Sequence, residues 1–552
     1  MKEVPRENSR PQPNVLDRMI EFVSPERAAK RMRARAVMAM VGSYIGAARN
    51  RRATSQWNPK LGDADADIIY DLATLRDRSR DLNRNAPIAI GATSTCLTNV
   101  VGTGLKLQSR IDREALGMSD EDADAWENKA EREYRLWAES RECDRSRQWN
   151  MATLQELAFR QTLEAGEIFV AMPRIERIGS PYKLKLHLIE ADRVCNENNA
   201  KDSETLIQGV EKDENGAPVR YHILDQHPGS MIVSKGKYTW TKVDALGERT
   251  GLSNILHCFR PLRPGQTRGV PFLAPVIEPL KQLDRYSEAE VMAAVLSSML
   301  TIFIKHEKGA FPGFDNTGLG QETGAKTSDA DLKLASGAIL ALGPGEEVQF
   351  PDLKRPNSAF DPFVTAILEQ IGAALEIPYE IIIRHFSSSY SASRAALLEA
   401  WRFFKGRRAW LVSILCQPIY EVFLWDAIAM GRLSAPGFFK DPIIRKAYCC
   451  AEWVGDAPGY IDPSKDIDAS EKRMELGIST LDAETTLITG GDMEKNLPRI
   501  ARERKKLQEI GLWQPGQKQN SGNKVQNNGE QLDEDGNPIL DKNGNPINGG
   551  QK

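Results

Sequence analysis

The chain has 552 residues, 41% hydrophobic and 27% charged, a composition ordinary for a globular protein that excludes a wholly disordered one. Its longest apolar stretch, residues 293–304, is interrupted by Ser297, Ser298 and Thr301 and falls short of the roughly 20 residues a bilayer crossing needs, so no membrane span is expected. A net charge of −3 argues against a protein that grips nucleic acid mainly through its phosphates.

That charge is unevenly placed. Residues 1–52 hold twelve Lys and Arg against five Asp and Glu, which makes this segment +7 and the remainder −10. Its Ala-rich run at 27–35 is compatible with a basic helix, either solvated or facing DNA, an acidic partner or a neighbouring subunit. The N-terminus lacks the continuous apolar core of a secretory signal, so the chain is expected to stay in the reducing compartment where it is made. Its seven scattered cysteines include no C-x-x-C pair and read as buried thiols, not as disulfides or a zinc site.

In chain order, the pattern predicts helix over 15–48 and again over 63–84. An apolar segment at 88–101 and a turn at Gly102-Thr103-Gly104 follow. Ser119 with Asp122 has the form of a capping box opening a helix to about Glu139, whose first-turn carboxylates read as caps and not as a metal site. Another helix runs from Leu154 to Gly166. Leu184, Leu186 and Leu188 then alternate with Lys183, Lys185 and His187, the period of a half-buried strand with a solvated polar face. The turn formers at 213–218 predict a hairpin within 207–224, so residues 150–260 form an α+β region.

Beyond Pro271 a helix is expected over 274–299. A Gly-rich insert follows, with short strands at 337–342 and 347–350, and then a helix over 360–375. Five serines within 387–393 predict an exposed loop, because serine hydroxyls compete for the backbone. A long helix over 393–430 is expected to bend at Pro418 and stop at Gly431. Its aromatic residues go nearly all round, which suggests subunit contacts. Helices at 462–476, 480–489 and 492–509 precede a polar tail with an eight-residue near-repeat that cannot bury enough surface to fold alone.

The chain contains no G-x-x-x-x-G-K-[ST], H-E-x-x-H or G-x-S-x-G, and its six histidines lie far apart. No catalytic, cofactor-binding or metal residue is expected, and no cofactor.

The run Arg260-Pro261-Leu262-Arg263-Pro264-Gly265-Gln266-Thr267-Arg268-Gly269-Val270-Pro271, followed by Leu283-Asp284-Arg285-Tyr286 and Ala289-Glu290, resembles the signature of the lambda-type (lambdoid) portal proteins of tailed bacteriophages. Arg263, Gly265, Gln266, Arg268, Gly269 and Pro271 carry that likeness. Further pieces match in order: residues 75–87, Ile189-Glu190-Ala191-Asp192, Gly209-Val210-Glu211 with Tyr221-His222, Tyr390-Ser391 with Ser393-Arg394-Ala395-Ala396, Trp453, Ile461-Asp462-Pro463 with Lys465, and Gly477 with Thr480. The resemblance covers about residues 15–510.

The resemblance implies a mainly helical α+β portal fold with wing, stem, clip and crown regions, assembling into a homododecameric ring at one capsid vertex of the virion. Through this ring DNA would be packaged and ejected. The implied regions are a basic N-terminal segment (1–52), an α+β wing (53–272), a first stem helix (273–300), a clip (301–358), a second stem helix (359–377), a channel loop (378–393), a long wing helix (394–432), a crown-like helical region (433–512) and a disordered tail (513–552). Within the channel loop His385, Phe386, Ser387, Ser388, Ser389, Tyr390 and Ser391 are expected to face the DNA. The implied partners are further copies of the chain, the terminase large subunit at the clip, a head-tail connector protein, major capsid and scaffold proteins, and double-stranded DNA. Assembly would take place in the host bacterial cytoplasm, with no membrane and no enzymatic activity. The alternatives are another ring-forming virion protein such as a head-tail adaptor, which is usually shorter, or a nucleic-acid-processing enzyme, which would need clustered carboxylates and a basic groove.

Overall fold

The computed structural model describes residues 61–231, 238–299, 303–306, 346–349, 359–386, 389–459 and 463–512, with scattered positions between 22 and 59. Most of the basic segment and of the clip, and all of the tail at 513–552, lie outside the described residues. The chain divides into two compact units, Met1–Asp71 with Arg263–Thr267, and Leu72–Leu262 with Arg268–Lys552.

The smaller unit holds the start of helix α1, Ala64–Asn85, where the Asp63 carboxylate accepts from the Ala66 amide at 2.7 Å and satisfies one of the open donors of the first turn. The larger unit holds everything else. Helix α2, Pro87–Val100, opens on a proline whose missing N–H is not needed in a first turn. The expected turn follows, with Gly102 and Gly104 both at positive φ. Strand β1, Lys106–Ser109, leads to α3, Asp120–Ala138, which Ser119 caps by accepting from the Asp122 amide as the capping box predicts. Helix α4, Met151–Glu164, begins three residues before the expected Leu154, because Asn150 accepts from the Thr153 amide at 3.0 Å and acts as its cap.

Two antiparallel sheets make the α+β region. In the first, β2 (Glu167–Ala171) lies between β3 (His187–Glu190) and β8 (Ile255–Phe259). In the second, β4 (Leu206–Ile207), β5 (Val210–Lys212), β6 (Pro218–Leu224) and β7 (Trp240–Asp244) pair in sequence order, and the β5–β6 connection is the expected hairpin. The strand expected at 184–188 is corrected in two respects. Leu184 and Leu186 make only isolated bridges, so the ladder starts at His187. Lys185, placed by alternation on a solvated face, is fully buried, and its ammonium donates to the Ser180 hydroxyl at 2.7 Å and the Tyr182 carbonyl at 2.9 Å. A lysine can be enclosed this way because three donors on a flexible stem reach acceptors that the fold supplies.

Helix α5, Ile277–Met299, follows a 3-10 turn at Ala274–Val276, and α6, Phe360–Leu375, matches its expected span. Tyr286 of α5 stacks on Phe360 of α6 at 5.5 Å and meets Phe363 edge-on at 5.0 Å. Between them, β9 (Phe303–His306) pairs antiparallel with β10 (Glu346–Gln349). The strand expected at 347–350 is therefore present one residue early, but its partner precedes the Gly-rich insert. The strand expected at 337–342 lies outside the described residues.

After α6, Glu376 takes a left-handed conformation (φ 58°) and Pro378 opens the short helix α7, Tyr379–Ile383. Helix α8, Tyr390–Leu411, then passes through a π-helical turn, Val412–Cys416, into α9, Gln417–Ala429, which ends before Gly431 (φ 72°). The irregularity expected at Pro418 thus lies earlier. Pro418 occupies the first turn of α9, and the distortion is the wide turn before it, where the Cys258 thiol donates to the Ile414 carbonyl. Helix α10 (Pro442–Tyr448), strand β11 (Ala451–Val454) and helices α11 (Pro463–Glu475), α12 (Leu481–Thr489) and α13 (Met493–Glu509) complete the described chain. Strand β11 returns to pair with β1, from Lys106↔Val454 to Ser109↔Ala451.

The run Ser391–Ala429 is long and apolar enough to cross a bilayer by length and composition, although charged residues interrupt it, so the expectation of no such segment is corrected. Most of the apolar side chains of its C-terminal half are taken up by the chain's own core, while Leu397 and Leu398 are exposed. Tyr134 of α3 meets Tyr420, Phe423 and Trp453 edge-on at 5.2 to 5.8 Å, and Trp137 and Tyr182 pack on Phe423 at 5.3 and 4.8 Å. Much of the all-round aromatic pattern is thus accounted for within one chain, while Trp401, Phe403 and Trp410 stay only partly buried. Five of the seven cysteines are buried, as expected.

Phe423 is fully buried at the centre of this aromatic cluster. Phe423→Ala is expected to destabilise the chain by about 3–5 kcal/mol, measured as the shift in chemical denaturation midpoint at unchanged slope.

Candidate functional site

The signature residues serve two separate arrangements. In the smaller unit, Arg263 donates to the carbonyls of Gly62 at 3.1 Å and Asp63 at 3.2 Å and pairs with the Asp67 carboxylate. The Thr267 amide donates to Asp65 Oδ1 at 2.8 Å. The turn between them is closed by Gln266, whose side-chain oxygen accepts from the Arg263 amide at 3.3 Å, and by Gly265 at φ 81°. Only glycine adopts that conformation without strain. Residues 263–267 thus clamp the first turn of α1.

In the larger unit, Arg268 and Gly269 enclose a buried carboxylate. Glu167, at the start of β2, is completely inaccessible. Its Oε1 accepts from Arg76 of α1 at 2.5 Å and from Arg268 Nε at 2.7 Å. Its Oε2 accepts from the Gly269 amide at 2.7 Å and from His257 Nε2 at 2.8 Å. Arg268, itself 1% exposed, spends its remaining donors on the carbonyls of Val194, Gln208 and Ala191 at 3.0, 2.5 and 2.7 Å. Arg76 Nε takes the Ala165 carbonyl at 3.0 Å.

Burial by itself would raise the Glu167 carboxyl. Arg268, Arg76 and then His257 outweigh it and hold the group well below the usual carboxylate range. Burial draws Arg76 down to about 10, against the opposing pull of Glu167, and it still carries its charge at neutral pH. Burial also lowers His257, which is therefore a neutral ring donating one proton to the carboxylate. Gly269 is required here for space: a Cβ would lie 2.6 Å from the Gly166 carbonyl carbon. The Pro271 carbonyl accepts from Ala274 at 3.0 Å and starts the turn into α5. This constellation has the shape of a structural anchor: its ionised groups are satisfied by one another, and no donor or acceptor is left facing solvent to act on a ligand.

The residues expected at a channel loop are divided by the structure. His385 and Phe386 follow α7, where Arg384 turns left-handed (φ 55°) and the His385 amide closes on the Glu380 carbonyl at 3.0 Å. Both side chains are exposed. Ser387 and Ser388 lie outside the described residues. Ser389 is the N-cap residue of α8, with its hydroxyl 3.2 Å from that of Ser391. Tyr390 and Ser391 already belong to that helix. The loop expected over 378–393 is therefore shorter at both ends, since α7 occupies 379–383 and α8 starts at 390. Serine is disfavoured in mid-helix but suits a first turn, so its abundance marks the start of α8 and not a longer loop. A cavity of about 640 Å3 opens beside this segment, lined by Phe386, Leu397, Leu398, Trp401 and Phe404, with Arg394 paired to Asp466 at 3.1 Å.

Arg268 and Gly269 stand out in the sequence and Arg76 lies within the matching piece at 75–87, but no motif there marks Glu167 or His257. One signal was available: a glutamate opening the otherwise apolar strand Glu167–Ala171, next to Gly166, which adopts φ 88°. A carboxylate in such a strand needs a buried cation.

The family model described as "Phage portal protein, lambda family" matches residues 50–408. Among curated proteins, portal protein B of Escherichia phage lambda is 26% identical over 480 residues, covering 83% of this chain and 88% of that protein. The portal protein of Escherichia phage N15 is also 26% identical over 480 residues, covering 83% and 89%. A probable portal protein of Halomonas phage phiHAP-1 is 24% identical over 484 residues, covering 85% and 87%. Among solved structures, the neck of a native gene transfer agent particle computed with C12 symmetry is similar with a TM-score of 0.38 and 13% identity, covering 76% of this chain and 92% of that one.

Replacing Glu167 by Gln removes one charge from a buried cluster and leaves two guanidiniums without a counter-ion, a loss of about 3–5 kcal/mol in stability at neutral pH. The sign with pH follows from the depressed carboxyl. Its contribution is present above the ordinary glutamate value and fades as acid protonates it, so between about pH 5 and pH 2 the parent should lose stability more steeply than Glu167→Gln. Parallel curves from denaturation at a series of pH values would show that Glu167 contributes nothing to the acid limb.

Proposed function

The chain belongs to the lambda family of phage portal proteins, and we propose that twelve copies form the ring at one capsid vertex through which DNA is packaged and later ejected. The observation that carries this reading is the family match over residues 50–408, together with likeness to named portal proteins across more than four-fifths of the chain. Helices α5 and α6 are assigned to the stem, residues 301–358 to the clip, the α+β region with α8 and α9 to the wing, and α11 to α13 to the crown. In this reading the terminase large subunit docks on the clip and is replaced there by a head-tail connector. Capsid and scaffold proteins surround the wing, and the ring itself catalyses no reaction.

Two features support a ring. The outer half of α5 leaves Val291, Met292 and Val295 between 41% and 65% exposed on one face, and Phe363 of α6 is half exposed. The spacing i, i+1, i+4 gathers the three into a single apolar stripe, which a helix in water alone would not retain at no gain. Neighbouring stems packed around an axis would cover it. The chain's small negative net charge also suits a conduit, since a wall neutralising many phosphates would hold DNA and resist its sliding.

The segment from His385 to Ser389, with the first turn of α8, is assigned to the channel wall. Hydroxyls there offer phosphate short hydrogen bonds that form and break without strong charge.

Negative-stain images and native mass measurement of the purified chain are expected to show closed rings, and monomers at every salt and protein concentration would overturn the reading. Val291→Asp with Met292→Asp should give folded monomers, seen as an unchanged denaturation midpoint with loss of the ring mass. Aspartate at Ser387, Ser388 and Ser389 should leave the ring intact but impair packaging or retention of DNA, because the added charge repeats around the channel. Packaging equal to the parent would remove this segment from the wall.

A further inference from the structure

A second cavity, of about 870 Å3, lies where the two sheets of the α+β region meet. Its floor is aliphatic, formed by Ile189 of β3 and Ile223 of β6, both at least 95% buried, with Val243 of β7 beside them. Its walls carry Arg145, Arg174, Arg193 and His187.

These cations are unequally partnered. Arg174 pairs with Asp426 at 3.4 Å and lies over the Trp425 ring. Arg193 donates only to backbone carbonyls, those of Leu224 at 2.9 Å and Asp225 at 3.0 Å. Arg145 donates to His187 Nδ1 at 2.8 Å. Neither Arg145 nor Arg193 is in an ion pair among the described residues. An arginine can only donate, so Nδ1 of His187 must accept and the ring is neutral with its proton on Nε2. Consistently, burial first, and then Arg145 and Arg193, hold His187 down at about 4. The one carboxylate in the wall, Asp225, accepts from the hydroxyls of Thr241 and Thr239 on β7 and its approach.

Two guanidiniums outside any ion pair, held close enough to depress a histidine and set above an aliphatic floor, with Asp225 and Glu190 acting on Arg193 only at longer range, form half of a complementary pair. We propose that this cavity docks an acidic peptide segment of a partner protein, its carboxylates on Arg145 and Arg193 and a neighbouring aliphatic side chain against Ile189 and Ile223. A DNA duplex fits less well, because its phosphates lie on a convex rod far wider than the cavity and it has nothing to offer the aliphatic floor. A free phosphate would leave that floor uncovered. The inference is independent of the assignment of the ring, since it rests on one chain's α+β region alone.

The test uses the full-length chain and a fluorescent short peptide alternating Glu and Leu. Its Gln-for-Glu counterpart, inorganic phosphate and a short DNA duplex serve as competitors. The acidic peptide is expected to bind, the Gln counterpart and phosphate to compete poorly, and Arg145→Gln to weaken binding about tenfold or more, as loss of a charge-assisted contact does. Arg145 is exposed and donates only to His187, so this variant should fold, and Arg145→Lys should retain part of the affinity. Side-chain hydrogen exchange of His187, read by mass spectrometry, should show its pKa rising when the peptide binds, because a carboxylate relieves the repulsion of the two arginines. No binding, equal binding by the Gln counterpart, an unchanged His187, or competition by the duplex as strong as by the acidic peptide would each overturn the proposal.

Discussion

A carboxylate removed from water must be surrounded by donors or give up its charge, and the fold of this chain is organised around one that keeps it. Glu167 holds two guanidiniums, an imidazole and a backbone amide, drawn from three parts of the chain: α1, the segment before α5, which supplies both Arg268 and the Gly269 amide, and β8. The arrangement is strict because removing any one donor leaves a buried charge short of a partner, and removing the carboxylate leaves two cations facing each other. Arg268 extends the constraint further. Its three contacts to carbonyls at 191, 194 and 208 fix the strand connections between the two sheets, so the cavity between those sheets inherits its shape from the same anchor.

From that anchor the chain runs directly into the helix assigned to the stem. The Phe272 amide donates to the Leu163 carbonyl at 2.9 Å, and Leu273, Val276, Leu280 and Leu283 are buried, so the first part of α5 is seated in the core while its outer part is not. A helix rooted at one end and apolar on an exposed face at the other is suited to transmit position from a rigid body to an interface. The aromatic cluster on α3, α9 and β11 plays the complementary role of making that body rigid, since interlocked rings at contact distance have few alternative packings.

The residues at 263–271 that carry the resemblance thus act as folding devices. Their glycines are where backbone meets backbone or turns left-handed, and their arginines are where a helix start and a buried carboxylate need cations. Arg268 and Gly269 are buried, while Arg263 and Gly265 keep exposed surface beside the contacts they make. In a protein whose work is to hold a shape and line a conduit, the most recognisable residues are those that fix the shape.

Local features were readable from the chain itself. Ser119, Thr480 and Asp492 cap helices where they stand, α6 runs over its expected span, and the hairpin after Lys212 turns where Asp213 to Pro218 require it, because caps and turns depend on neighbours within a few residues. What the chain could not disclose were choices made across long separations. Arg76 and Arg268 stand 91 and 101 residues from Glu167, and nothing in their surroundings announces that they meet. Alternation placed Lys185 in water, yet the fold covers both sides of that segment, and the same closure buries Tyr420 and Phe423 of α9. Residue order determined where helices begin, turn and end; only the tertiary structure decided which charges are buried and which apolar faces remain open, because burial is a property of what the rest of the chain brings to a surface.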